Sequence, residues 1–244
     1  MKKYLVFTLL TMLLAAIFSC KNESGKYSQA SMIPRGDSTK IDRFEEEIKK
    51  FEEADQAQMP PKGGVLFVGS SSFRLWGTLA QDFAPLPVIN RGFGGSTTPE
   101  VVHYAKRIVY KYQPNVIVYY CGENDMASET PPQVAFQNFK KFIGETEKNL
   151  PNATVVALSA KPSASRWALW KNFQQFNSMV EVFAQNRPNL RYVDTGKELL
   201  GANGEPDPSL FVEDKLHLNA SGYAKWTAVL KPIVTEVYNS KTPQ

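Results

Sequence analysis

An α/β fold on a parallel sheet is what this chain predicts, and three observations predict it. Short apolar runs alternate with segments of helical periodicity along most of the 244 residues, and that alternation is the pattern of a parallel sheet covered on both faces by helices. The runs Val65-Leu66-Phe67-Val68 and Val116-Ile117-Val118-Tyr119-Tyr120 are continuous in large apolar residues, as expected of strands with no face open to water. Several of them stop at glycine or small polar residues, Gly69-Ser70-Ser71 and Gly122-Glu123-Asn124-Asp125 among them. In open α/β sheets such strand ends face the ligand crevice.

The first folded element is a helix from Ile41 to about Ala57, because Ile41, Phe44, Ile48 and Phe51 share one stripe while charges fill the rest. Pro60-Pro61-Lys62-Gly63-Gly64 stops it. Strands are expected near Val65 to Val68, Val88 to Asn90, Val116 to Tyr120, Thr154 to Leu158 and Arg191 to Val193. Between them the spacing predicts helices near Ser71 to Leu79, Pro99 to Tyr110, Pro131 to Leu150 and Trp167 to Gln185. A last helix runs from about Ala220 to Tyr238, with Pro232 expected to kink it. The sheet therefore has five parallel strands, and no internal repeat is visible.

The N-terminal segment is of another kind. Lys2-Lys3, an apolar run from Tyr4 to Phe18, and Ser19-Cys20 have the layout of an export signal, and the run is too short to prefer a membrane-spanning helix. Ile17-Phe18-Ser19-Cys20 resembles the lipobox of bacterial lipoproteins, with Phe18 larger than usual at its position. The resemblance implies a signal peptide over 1–19 and a lipid on Cys20. It also implies a membrane partner reached through that lipid, with the anchored protein facing the periplasm or the cell exterior.

Residues 20–40, rich in Ser, Lys and Gly, read as a flexible spacer, and 41–244 as one domain of a length that a single α/β core accommodates. Within the spacer Arg35-Gly36-Asp37-Ser38 spells Gly-Asp-Ser, but no strand precedes it and no core follows, so it reads as incidental. Without Lys2 and Lys3 the chain has 26 basic and 24 acidic side chains, a balance of +2 that does not suggest a nucleic-acid partner. Cys121, the other cysteine, closes an apolar strand and is expected to pack as a small hydrophobe.

Four stretches carry chemistry. Gly69-Ser70-Ser71, Gly94-Gly95 and Gly122-Glu123-Asn124-Asp125 follow strands, and Asp214-Lys215-Leu216-His217 precedes the last helix. They resemble the four signature blocks of the SGNH, or GDSL-type, esterase and lipase superfamily, in the same order. The resemblance implies a three-layer α/β/α flavodoxin-like fold with no cofactor. It makes Ser71 the nucleophile, Asp214 and His217 its triad partners, and Gly95 and Asn124, with the Ser71 N–H, the oxyanion donors. The chain departs from the family at Ser70, where most relatives have Asp. That Asp is not a triad member, so the change bears on loop hydrogen bonding more than on the chemistry, although it makes Ser70 and Ser72 conceivable nucleophiles.

The residues support those roles on physical grounds. A hydroxyl needs a base within hydrogen-bond reach to attack an ester at neutral pH. The chain has two histidines. His103 lies among Val101, Val102 and Tyr104 in an amphipathic helix, whereas His217 follows Asp214 by three residues in a loop where a carboxylate can orient the ring. Ser71 opens a helix, whose N-terminal N–H groups stabilise developing negative charge. Gly95 has no Cβ to hold a substrate away, and Asn124 offers an amide N–H₂.

No paired Cys or His spacing suggests a metal site, no phosphate loop is present, and Glu123 with Asp125 shows no separate acid/base pair of glycosidase type.

For the substrate, Trp76, Arg166 and Trp167 lie near the expected rim, with Trp170 close by, and can stack on a sugar ring or line an acyl pocket. Exported members of the superfamily often remove acetyl groups from carbohydrates. A short acyl ester of a carbohydrate or another small molecule is therefore the expected partner. The alternatives are a lysophospholipase or thioesterase acting on longer chains, and a carbohydrate-binding lipoprotein that kept the fold without turnover.

Overall fold

The computed structural model describes residues 42–241. The expected signal peptide, Cys20 and the whole 20–40 spacer lie outside the described residues.

Five parallel strands form one sheet in the order β2-β1-β3-β4-β5: β1 Val65–Gly69, β2 Val88–Gly92, β3 Val116–Tyr120, β4 Thr154–Leu158 and β5 Leu190–Val193. The helices are α1 Glu45–Ala57, α2 Ser71–Arg74, α3 Leu79–Asp82, α4 Thr98–Ile108, α5 Glu123–Ala127, α6 Pro132–Asn149, α7 Trp170–Ala184 and α8 Ala220–Lys241. The predicted α/β/α fold is the observed one.

Alternate side chains along each strand enter separate cores, as the two-residue period of a strand requires. Leu66, Val68, Ile117, Tyr119, Val155 and Ala157 pack with residues of α4, α6 and α7, including Tyr104, Phe139, Phe142, Phe173 and Phe176. On the other face Val65, Phe67, Val116, Val118, Tyr120 and Val156 meet Phe73, Trp76 and the α8 residues Trp226, Leu230 and Val234. Each fully buried Leu, Val, Ile or Phe contributes about 1.5–3 kcal/mol. The connection after β1 leads to β2 on one side, and the chain then returns to place β3 on the other. That reversal makes the carboxyl end of β1 the topological switch point, where an open sheet leaves a crevice.

Four boundaries differ from the sequence expectation. The helix expected from Ile41 begins at Glu45, with Glu45, Glu46 and Glu47 in its first turn, where negative charge suits the dipole. The expected Ser71–Leu79 helix splits into α2 and α3. Trp76 turns into the core between them and donates to Asp82 at 2.6 Å, while Gly77 offers little helix propensity. The helix expected from Trp167 starts as 3₁₀ turns over Ala164–Leu169, with Arg166 outside helical geometry. Finally, α8 continues through Pro232 to Lys241.

A buried charge cluster fastens α1 to the sheet edge. Asp55 accepts from Arg91 and Lys111, both at 2.5 Å, and from the Tyr112 hydroxyl.

Candidate active site

The first loop leaves β1 through Gly69 with φ +148°, and a Cβ there would lie 1.9 Å from the Tyr120 carbonyl oxygen. Only glycine permits that approach. It lets Ser70 donate its N–H to the same carbonyl at 3.0 Å, so the end of β1 is stitched to the end of β3. Ser70 and Ser72 are buried at 3% and 2% exposure, and Ser71 between them is half-buried. Of the three serines, Ser71 opens α2 and bonds the histidine.

His217 bridges two of the other predicted residues. Its Nε2 is 2.8 Å from Ser71 Oγ, and its Nδ1 is 2.5 Å from Asp214 Oδ2. The second carboxylate oxygen of Asp214 accepts the backbone N–H groups of Leu216 at 2.8 Å and His217 at 2.9 Å, so one short turn fixes both acid and base. Burial pushes the Asp214 carboxyl up, but the backbone N–H of His217, its ring and the Leu216 N–H outweigh it and hold the group at about 2. Asp214 is therefore ionised at neutral pH, as an orienting partner for an imidazolium must be. Lys215, with φ +57°, shapes the turn, and its carbonyl accepts the Ser165 N–H at 3.2 Å. This bond ties the Asp214–His217 turn to the loop after β4.

The second loop carries Gly95 with φ +76°, where a Cβ would meet nothing within 4 Å, so the backbone conformation is what favours glycine. Arg43 donates to the Gly95 carbonyl at 3.0 Å and forks onto Glu100 at 2.6 and 3.0 Å. Glu100 in turn accepts the Thr97 N–H at 2.8 Å within a capping box that starts α4. The Ser96 hydroxyl donates to the Gly69 carbonyl at 3.1 Å, which joins this loop to the first.

In the third loop Asn124 lies in the short helix α5. Its Nδ2 donates to the Ser96 carbonyl at 3.0 Å and its Oδ1 accepts from Arg166 at 2.9 Å. The next residue, Asp125, accepts the Thr98 N–H at 3.0 and 3.2 Å at the start of α4. Glu123 is buried and accepts from Lys161 at 3.2 and 3.3 Å, from Arg166 at 3.0 Å, and from the Tyr120 hydroxyl. Burial pushes the Glu123 carboxyl up, but Lys161 and Arg166 more than offset this and hold it below the usual carboxylate range.

The expected rim is only partly realised. Trp76 is 1% exposed, stacked on Tyr223 with centroids 4.8 Å apart, and so belongs to the core beneath α2, not to a substrate surface. It sits five residues past Ser71, but the chain bends inward there. Arg166 is at the site, but both ends of its guanidinium are engaged by Glu123 and Asn124. Trp167 is half-buried and stacks on Trp170 at 5.8 Å and 15°.

His103 bonds Asp42 at 3.0 Å on the surface, and Cys121 is buried as expected. Among the described residues no group of three or more His, Cys, Asp or Glu could hold a metal ion, and no helix is long and apolar enough to cross a membrane.

Sequence reading missed the Glu123–Lys161–Arg166 cluster and the tie from Arg43 to Gly95. A lysine three residues past a buried strand, as Lys161 follows β4, was the one visible signal, because such a charge must find a partner.

The arrangement places a hydroxyl, an imidazole and a carboxylate in hydrogen-bonded series, with candidate oxyanion donors on neighbouring loops. This is the equipment for acyl transfer to water.

Comparison with known proteins agrees. Among curated proteins, the chain is 27% identical over 189 residues to the human platelet-activating factor acetylhydrolase IB subunit alpha2, covering 74% of this chain and 79% of that one. Among solved structures it resembles a GDSL-like lipase from Bacteroides thetaiotaomicron, with a TM-score of 0.66, 21% identity and coverage of 78% of this chain and 97% of that one. It also resembles an acetyl-xylooligosaccharide esterase from Geobacillus, with a TM-score of 0.55, 15% identity and coverage of 73% and 95%. Residues 64–225 match the model of the GDSL-like lipase/acylhydrolase family, and with the loops after β1, β2 and β3 and the turn before α8 joined by hydrogen bonds, the chain belongs to that family of ester hydrolases.

Proposed function

We propose that the chain hydrolyses short acyl esters, acetyl esters of carbohydrates first among them, through Ser71, His217 and Asp214. The observation that carries this reading is the imidazole of His217 bridging Ser71 Oγ at 2.8 Å and Asp214 at 2.5 Å. His217 Nε2 takes the Ser71 proton as Oγ attacks the ester carbonyl, and the charge moves onto the carbonyl oxygen. The Ser71 N–H, the Gly95 N–H and the Asn124 amide stabilise that oxyanion. His217 then gives its proton to the leaving alcohol, and water, activated by the same imidazole, releases the acid and restores Ser71. Asp214 keeps the ring in the required tautomer and stabilises its cationic form.

The acetyl preference rests on the stacked Trp167–Trp170 pair, which offers an aromatic face to a sugar ring. It rests also on relatives whose names specify acetyl substrates. Lipid on Cys20 would hold the enzyme at a membrane with the domain carried on the spacer.

A second reading, longer acyl chains as in lysophospholipids or thioesters, is favoured by Leu75 and Val212. Each is 43% exposed, and their backbone N–H groups donate to the carbonyls of Ser71 and His217 respectively. The test is a chain-length series of nitrophenyl esters. Acetate is expected to turn over faster than decanoate, with both rates lost in Ser71→Ala. Decanoate turned over much faster than acetate would overturn the short-chain preference.

A further inference from the structure

Arg166 invites a substrate role by its position, yet the structure spends it elsewhere. Its Nη2 donates to Asn124 Oδ1 at 2.9 Å and its Nη1 to Glu123 Oε1 at 3.0 Å. An arginine has no acceptor, so the atom of Asn124 that faces it must be the amide oxygen. The Ser96 carbonyl, 3.0 Å from the other end, must face the nitrogen. Two independent partners thus impose the same orientation of the amide. Asn124 Nδ2 carries two hydrogens, and Ser96 takes one.

The anchor behind Arg166 is rigid. Side-chain exposure is 5% for Glu123 and 1% for Lys161, against 20% for Arg166. The Glu123 carboxylate is held from one side by Lys161 and from another by the Tyr120 hydroxyl at the end of β3. A buried, ionised carboxylate with those donors is a fixed post, and the planar guanidinium transmits its position to the amide without the slack of an ammonium.

We infer that Arg166 is a positioning residue: braced on the buried Glu123–Lys161 pair, it locks the Asn124 amide so that its second hydrogen is presented to the oxyanion. The inference rests on the esterase reading for what the amide does, but not for how the amide is held. A transition-state donor held in this way changes kcat more than KM, because the ground-state carbonyl gains less from it.

The test is a double-mutant cycle on nitrophenyl acetate with Arg166→Ala, Asn124→Ala and the pair. Losing a donor of this kind costs about 10²–10³ in turnover. Misplacing one costs less, so Arg166→Ala is expected to lower kcat by about 10–100-fold with KM within about two-fold of the parent. In the Asn124→Ala background Arg166→Ala is expected to have no further effect on kcat, since nothing is left to position. Methylguanidine is expected to restore part of the Arg166→Ala rate, and Arg166→Lys to fall short of the parent, because one ammonium does not serve both acceptors in the planar geometry.

A further ten-fold loss in the double variant, or a raised KM with unchanged kcat, would place Arg166 on the substrate and overturn the inference. Glu123→Gln is avoided as the primary probe because it leaves Lys161 buried and unpaired, which threatens folding. A readout independent of turnover separates this inference from the esterase reading. The Asn124 side-chain ¹H–¹⁵N pair whose hydrogen is bonded to the Ser96 carbonyl should be protected from solvent exchange in the parent and lose that protection in Arg166→Ala. An unchanged pair sinks the inference even if the enzyme proves active, and a changed pair supports it even if no tested ester is cleaved.

Discussion

The carboxylate of Asp125 accepts the backbone N–H of Thr98 at 3.0 Å, which joins the helix bearing Asn124 to the start of the helix that follows Gly95. Two candidate oxyanion donors from different strands are thereby held in one frame. The fastening is nearly fully buried, and it responds to pH. Burial raises the Asp125 carboxyl to about 6, against 3.8 for the exposed group, even though the Thr98 N–H pulls it down.

The folded state therefore holds a proton on Asp125 at pH values where the unfolded chain has released it. The stability this contributes is complete below about 3.8 and is lost as pH rises to about 6, an effect of roughly 3 kcal/mol at 1.36 kcal/mol per unit. Asp214 works with the opposite sign, its contribution present above about 3.8 and lost as pH falls toward 2. In Asp125→Asn, which keeps an acceptor for Thr98, the stability lost between pH 4 and 7 should be smaller than in the parent by that amount. Urea unfolding at both pH values measures it, and equal losses in parent and variant would contradict the burial argument.

Removing the charge of Asp214 while keeping its shape isolates its effect on the ring of His217. Asp214→Asn should lower kcat by about 10⁴ with little change in KM, because the ring is left in the wrong tautomer and its cation unsupported. Steady-state kinetics on nitrophenyl acetate checks this, and a fall of less than about ten-fold would place the orienting group elsewhere.

Trp76 and Trp167 should separate by what they disturb. Trp76 is enclosed by Phe67, Phe73, Phe83, Tyr223 and Trp226. Trp76→Ala should therefore cost about 3–5 kcal/mol of stability, lowering Tm by on the order of 10 °C in a domain of this size. Half-buried Trp167, stacked on Trp170, should instead raise KM for acetylated sugars when changed to Ala, with Tm nearly unchanged. Thermal melts beside kinetics on acetylated xylooligosaccharides separate the two, and a Trp167 variant with parental KM would remove that ring from the substrate surface.

What could be read in the residues follows from how each feature is encoded. The strands announce themselves because a strand buried on both faces must be apolar along its length, as Val65–Val68 and Val116–Tyr120 are. The meeting of Ser71, Asp214 and His217 was legible through the order of four short motifs, and the distances among them agree with it. Trp76 was misplaced because its distance along the chain from Ser71 says nothing about the bend at Gly77 that turns the ring inward. The brace behind Asn124 was invisible for a related reason. Glu123, Lys161 and Arg166 come from two loops 38 residues or more apart, and charge alone does not reveal which pairs a fold will bury together.

The central claim is that Ser71 is the nucleophile activated by His217. Its most direct test is to treat the protein with a fluorophosphonate and map the adduct by mass spectrometry. The account predicts one covalent phosphonyl group on Ser71, absent in Ser71→Ala and formed far more slowly in His217→Ala. An adduct on Ser70 or Ser72, or no adduct in a folded parent under conditions that label other serine esterases, would contradict it.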